Sequence, residues 1–223
     1  MEIKLVQKVM KVNDELAQGV RERLRAAGVA CVNIMSAPGS GKTSLIEAAL
    51  RHCDGTPRIG VIEGDPDTTL DAERIAACGA PVVQINTDGG CHLEANLVGR
   101  ALGDLDLGAL DILLIENVGN LVCPVGFDLG EDRRIAVVSV TEGHDKPAKY
   151  PKLFRGADLV VLNKADLLPH VDFDMAFFRD TVLRLHPGVL ILQVSCRTGD
   201  GVDAWVAWLR ETAAAVAAKG KAQ

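Results

Sequence analysis

Seven apolar runs punctuate the chain, at Val29–Met35, Arg58–Glu63, Pro81–Asn86, Asp111–Val118, Arg133–Val140, Leu159–Leu162 and Val189–Val194. They are continuous in Val, Ile and Leu rather than alternating with polar residues, as strands are when both faces of a sheet are covered. Segments with helical spacing separate most of them: Ser44–Arg51, Leu70–Cys78, Cys91–Gly103, Phe173–His186 and Val202–Ala218. This alternation predicts an α/β fold, a mostly parallel sheet with helices on both faces. Residues 2–27 stand apart. Val6, Met10, Leu16, Val20 and Leu24 recur near helical spacing, and Gly28 suits a helix C-terminus. An N-terminal helix over 1–28 is expected, then the sheet-forming domain over 29–218 and a short tail, 219–223.

Composition narrows the class. At 223 residues and 48% hydrophobic, the chain suits one domain with a sizeable core. No apolar run reaches the roughly 20 residues of a membrane span. Met1-Glu2-Ile3-Lys4 lacks the plan of a signal peptide, so a cytoplasmic location is expected, with no membrane partner. A net charge of -6 and a pI near 5.4 argue against a nucleic-acid partner. The six cysteines include no Cys-x-x-Cys pair, and Cys31 reads as a buried thiol inside a strand.

Two segments carry nucleotide chemistry. The first apolar run leads into Ser36-Ala37-Pro38-Gly39-Ser40-Gly41-Lys42-Thr43, and Ser44 opens the next helical segment. Gly39 and Gly41 let the backbone fold back, so that N–H groups of the Gly39–Ser44 stretch converge on one anion. Lys42 adds a point charge for the terminal phosphates and Thr43 a hydroxyl for Mg²⁺. This is the P-loop of an NTPase, with Ser36 where the usual pattern has Gly. Later, Asn163-Lys164-Ala165-Asp166 ends a buried run. The Asp166 carboxylate can accept both N1–H and N2–H₂ of guanine, donors that adenine does not pair in this way, so GTP/GDP rather than ATP is predicted. Asn163 braces the loop and the Lys164 stem lies over the base. Ser195-Cys196-Arg197 is placed to offer backbone N–H to the guanine O6.

The hydrolytic centre is expected at Glu116-Asn117-Val118-Gly119, an acid for Mg²⁺ and a glycine N–H for the γ-phosphate. Asp65, closing an earlier strand, is a second Mg²⁺-side acid. Asp71 has two readings: it orients the attacking water, or it is an acid favoured by its helix dipole. Cys91-His92 precedes a helical segment, and Cys123-Pro124 follows Gly119. Thiolates with an imidazole suit Zn²⁺ or Ni²⁺, yet spacing alone favours a buried thiol and a satisfied histidine over a metal site.

Taken together, Ser36–Thr43, Asp71–Arg74, Cys91–Ala95, Glu116–Pro124, Phe127–Glu131, Val140–Gly143, Asp145–Pro147, Lys149–Pro151 and Asn163–Asp166 resemble the hydrogenase nickel-incorporation GTPases, the HypB family, over about residues 30 to 200. The resemblance implies GTP hydrolysis and a GTP-dependent homodimer. It implies nickel or zinc at Cys91, His92 and Cys123 near the subunit interface. It implies as partners a small zinc-containing nickel chaperone and the large subunit of [NiFe]-hydrogenase. Some members carry an N-terminal cysteine or histidine-rich nickel site that this sequence does not show, so the switch-linked site is expected to be its protein metal site. Related GTPase chaperones for urease or for a cobalamin enzyme are the alternative.

Overall fold

A computed structural model describes residues 2–220 and, among them, the side chains of 10–219. In chain order the elements are α1 (Glu2–Ala27), β1 (Ala30–Ser36), α2 (Lys42–His52), β2 (Ile59–Asp65), α3 (Leu70–Ala77), β3 (Val82–Asn86), α4 (Ala95–Ala101), β4 (Ile112–Glu116), β5 (Arg133–Ser139), α5 (Lys146–Lys149), α6 (Pro151–Arg155), β6 (Leu159–Asn163), α7 (Met175–Leu185), β7 (Leu190–Gln193) and α8 (Val202–Gly220). The strands form one sheet in the order β3-β2-β4-β1-β5-β6-β7, and every pairing is parallel. Each predicted apolar run is a strand, and the sheet has helices on both faces, as the unbroken Val/Ile/Leu content requires.

Strand β1 shows how the layers are built, because successive residues point to opposite faces. Ala30, Val32 and Ile34 face α2, α3 and α8, meeting Leu45, Ile46, Ile75, Trp205 and Leu209. On the other face Cys31 joins Leu113 and Ile115 beneath Val20 and Leu24 of α1 and Val98 of α4. Further along that face Met35, Ala136 and Val160 pack under Phe154 of α6 and Phe178 of α7. Each such side chain contributes roughly 1.5–3 kcal/mol when fully buried. Asn33 also points to this second face, between the two apolar patches, and is wholly buried.

The register brings chemistry to one edge. Glu116 of β4 lies level with Ile34 of β1 and with Glu63 of β2, and Asn163 of β6 lies level with Ser139 of β5. The phosphate loop leaves β1 where β4 flanks it on one side and β5 on the other, the crevice at the strands' carboxyl ends where ligands gather in such sheets.

Two boundaries and one helix face differ from the sequence reading. The helix expected over Cys91–Gly103 is regular only from Ala95, with Glu94 as its N-cap. Tertiary hydrogen bonds hold the preceding residues: Leu93 N–H donates to the Asn117 side chain instead of continuing a helix. Helix α8 runs through Gly220, so Lys219 belongs to it rather than to a tail; residues 221–223 lie outside the described residues. On α1 the inward face is Asn13, Ala17, Val20 and Leu24, while Leu16 is 44% exposed and the Val6 side chain lies outside those described. The polar Asn13 masks the true stripe. Of the two tryptophans on α8, Trp205 is fully buried and Trp208 is half-buried against it. Among the described residues, no helix is long and apolar enough to cross a membrane.

Helix α1 is seated on the domain at Gly130, whose φ is +87° and whose Cβ, if present, would lie 2.7 Å from the Ala17 carbonyl oxygen. Gly130→Ala is expected to cost about 1–3 kcal/mol through positive-φ strain and the clash, read as a lower midpoint of thermal unfolding. An unchanged midpoint overturns this account of how α1 is held.

Candidate nucleotide and metal site

The phosphate loop is shaped by its two glycines, Gly39 at φ +74° and Gly41 at φ +92°. A Cβ on Gly41 would collide with the Asn163 amide, which donates to the Ser40 carbonyl oxygen at 2.9 Å. Lys164, in the left-handed region at φ 58°, reaches back to donate to the Gly39 carbonyl oxygen at 2.8 Å. The two loops predicted for phosphate and base are therefore one braced unit. Ser44 accepts from Arg74 at 3.2 Å, and Ser40 donates to Glu142 at 2.5 Å.

Beneath the loop, Lys42, Thr43 and Glu116 are drawn together and buried. The Thr43 hydroxyl donates to Glu116 Oε1 at 2.9 Å and Lys42 Nζ lies 3.9 Å from it, while Glu116 Oε2 is buried without a partner. Glu63 Oε2 is orphaned in the same way. Burial pushes the Glu63 carboxyl up to about 8, with the neighbouring Glu116 charge adding to it. Burial raises Glu116 to about 7 against the pull of Lys42 and Thr43. Unmatched carboxylate oxygens beside a buried hydroxyl are the donor set a hard cation takes. Asp65 and Asp71 join Glu63 in an acidic group whose oxygens lie within 4.8 Å of one another. Asp65 commits one oxygen to the N–H groups of Asp67 and Thr68. Asp71 sits in the first turn of α3, so both of its readings keep their geometry. It is held there by Arg74, which also grips Glu47 of α2. Gly119 lies against the phosphate loop, where an added Cβ would be 2.9 Å from Pro38 Cα.

The base side is a cavity of about 490 Å³ lined by Gly41, Asn163, Lys164, Asp166, Leu167 and Cys196 among others. Both Asp166 oxygens are already met: Ser195 Oγ donates to one at 2.7 Å and Arg197 Nε to the other at 2.9 Å. The Ser195 hydrogen bond, then the Arg197 contacts, hold this carboxyl below the usual range. One expectation is corrected. The Ser195 N–H donates to the Asp200 carbonyl oxygen at 2.9 Å and does not face the cavity, so of Ser195-Cys196-Arg197 the Cys196 and Arg197 amides are left to read a base oxygen.

Cys91, His92 and Cys123 come together, their donor atoms within 4.8 Å of one another. Cys91 Sγ is 3.4 Å from His92 Nδ1. The hydrogen bond to Cys123, then burial, raises the Cys91 thiol above its ordinary value. Tetrahedral Zn²⁺ with these ligand types sets donors about 3.3–3.8 Å apart, so a modest contraction closes the group on an ion. Cys123 is placed by the Asn120 side chain, which accepts from the N–H groups of Val122 and Cys123.

Sequence reasoning missed the residues that hold this triad. Phe127 stacks on the His92 ring with centroids 3.9 Å apart. Asn13 of α1 donates to the Asp128 carbonyl oxygen at 2.8 Å and accepts from Ala95 N–H at 3.0 Å. Arg21 Nη2 donates to both Asp128 carboxylate oxygens, each contact at 2.7 Å. The N-terminal helix thus clamps both loops of the triad rather than only packing. The available signal was Asn33 inside the otherwise apolar run of β1.

A parallel sheet with this phosphate loop and a braced Asn-Lys-x-Asp loop defines a P-loop nucleotide-binding domain. Residues 30–193 match the family model described as the CobW/HypB/UreG nucleotide-binding domain. The hydrogenase maturation factor HypB of Rhizobium leguminosarum bv. viciae is 48% identical over 98% of this chain and 73% of its own length. The crystal structure of HypB from Archaeoglobus fulgidus superposes with a TM-score of 0.85 at 41% identity, covering 91% of this chain and 99% of that one. HypB from Helicobacter pylori, solved in complex with nickel, gives 0.87 at 36% identity over 90% and 94% of the two chains. The chain belongs to the HypB family of hydrogenase maturation factors.

The two raised carboxyls set a pH dependence. Above the ordinary carboxyl value of 4.5 an unfolded chain releases protons that folded Glu63 and Glu116 still hold. The nucleotide-free protein should therefore lose stability as pH rises from about 4.5 to 8. Urea unfolding across that range measures it, and Glu63→Gln, which cannot ionise, should flatten the slope. A wild-type stability that climbs through this window contradicts the assignment.

Proposed function

We propose that this chain is a GTP-hydrolysing nickel metallochaperone that supports nickel insertion into the large subunit of [NiFe]-hydrogenase. The observation that carries this reading is the convergence of Cys91, His92 and Cys123 within 4.8 Å, with Cys123 on the loop that begins at Gly119 against the phosphate loop. Membership of the HypB family supports it, as does the nickel complex of the Helicobacter pylori relative.

In this reading the N–H groups of Gly39–Ser44 and the Lys42 ammonium hold the phosphates. Thr43 and Glu116, with Asp65 behind them, hold Mg²⁺, and Asp71 orients the attacking water. Asp166 pairs with the guanine edge once Arg197 has swung away, Asn163 braces the loop, and Lys164 covers the base. Nickel is cargo, taken by two thiolates and an imidazole that also suit zinc. GTP draws the Gly119 N–H toward the γ-phosphate and orders the segment through Cys123. Two copies then pair across that face in a GTP-dependent homodimer, and hydrolysis relaxes the site. A ligand shifts metal affinity only by its different hold on two states, so each step works through those two arrangements. The small zinc-containing nickel chaperone supplies or receives the ion, and the work takes place in the cytoplasm.

Three measurements test the proposal. Asp166→Asn should weaken GTP binding by about 10- to 100-fold, the cost of about 1.4–2.8 kcal/mol for a mismatched buried donor, without a matching loss for ATP. Nickel titration should give different affinities in the GDP and GTP-analogue forms. Cys123→Ala should reduce nickel affinity by more than the roughly 10–100-fold that loss of an outer-shell partner costs. Comparable ATP and GTP affinities remove the guanine reading, and unaltered nickel binding in Cys123→Ala removes the metal site.

A further inference from the structure

We infer that Asn117 is a positioning residue that ties the nucleotide-sensing turn to the metal ligand His92 through one buried chain of side-chain hydrogen bonds. The inference rests on the nucleotide-coupled metal site proposed above and says what carries the coupling. Asn117 follows Glu116 at the end of β4 and is 1% exposed. Its Oδ1 accepts two backbone N–H groups, from Val118 at 3.0 Å and from Leu93 at 3.2 Å. Val118 opens the turn whose Gly119 lies against Pro38, and Leu93 is the residue after His92. A single oxygen atom thus joins the backbones of the turn facing the phosphates and the loop carrying the imidazole.

The chain continues away from this oxygen and returns to His92 from the other side. Asn117 Nδ2 donates to Asn33 Oδ1 at 3.2 Å, and Asn33 Nδ2 donates to Glu131 Oε1 at 3.4 Å. Arg134 Nε donates to the same Glu131 oxygen at 2.6 Å. The Arg134 guanidinium also donates to the carbonyl oxygens of Val125 and Phe127, at 3.3 and 3.4 Å. Phe127 is the ring stacked on His92, and Val125 lies two residues after Cys123. Backbone, ring face and the Cys123 loop are therefore held by one network.

Leu93 cannot slip independently of it. Its side chain fills the space above Gly64, where an added Cβ would lie 2.8 Å away. A shift of Val118 must either break its bond to Asn117 or carry Asn117, and with it Leu93, along. A bland role for these amides also exists, since any buried Asn must find partners. Yet the pair stands between two apolar patches, where hydrophobic residues would avoid the desolvation of polar groups. A purely structural role predicts a change in stability alone. The positioning role predicts a change in the ratio of metal affinities between nucleotide states.

The experiment titrates Ni²⁺ alone into the full chain loaded with GDP or with a non-hydrolysable GTP analogue, following the thiolate-to-nickel absorption band. The wild-type ratio of affinities is expected within the range of about 5–150 typical of coupled sites. Asn117→Ala should bring it to about 1 while both forms still bind nickel. Asn33→Ser, at a position that touches neither predicted ligand, should lower the ratio as well, and it decides the matter if Asn117→Ala does not fold by circular dichroism. A wild-type ratio of one removes the nucleotide-coupled reading and this inference with it. A ratio well above one that persists in folded Asn117→Ala, or in Asn33→Ser, overturns the relay alone.

Discussion

A carboxylate kept out of water with one oxygen unmatched is an expensive arrangement, and the site is built around one such group. Glu116 lies at the end of the interior strand β4, next to the central β1, so it cannot move without dragging the sheet. Thr43 and Lys42 reach it from the first turn of α2, which fixes the phosphate loop to the sheet edge. Immediately after it the chain leaves the sheet, and every later residue up to β5 belongs to the loop that carries Gly119 and Cys123. The phosphate cradle and the sulfur-bearing loop therefore share one anchor. Each is attached to Glu116, one through side chains and one through the main chain.

The raised carboxyl values belong to the same arrangement. Buried acids hold their protons when no cation is near, because desolvation penalises only the charged form. A divalent ion at Glu116 would supply the charge that Lys42, at 3.9 Å, gives only in part. The empty-handed state is thus the less stable one at neutral pH. That is the usual condition of a site that gains order on binding, and here it lies at the rigid end of a strand and not in a loose loop.

Much of this was legible in the sequence. The continuous apolar runs fixed the strands, and the glycines at 39 and 41 occupy the positive-φ positions their spacing demanded. Cys91, His92 and Cys123 did converge, although spacing alone favoured a buried thiol and a satisfied histidine. What stayed hidden were interactions between residues distant in the chain. Nothing local to Asn13 announces that it bridges Asp128 and Ala95, and an apolar tally of α1 passes over it. The helix boundary at Ala95 was lost for the same reason, since a tertiary acceptor competes with the helical one for Leu93 N–H. The Ser195 amide is a different case: its acceptor, Asp200, lies in a local turn a few residues on, which the motif alone does not specify.

The placement of the sulfur and imidazole donors on loops also follows from the physics. Helices and strands would hold them more firmly, and a storage site gains from firmness. A delivery site needs two arrangements of nearly equal energy, and packed elements with unbroken ladders seldom offer them. Here the loops are held by side-chain amides, a carboxylate and one guanidinium, each able to exchange partners at a modest cost, while Phe127 keeps the imidazole ring from turning freely. Helix α1 closes the arrangement from outside through Asn13 and Arg21. A firm sheet edge for the nucleotide and a loosely tied pair of loops for the metal give the two ligands different stiffness. In the proposed function, that difference lets occupancy of the first be felt at the second.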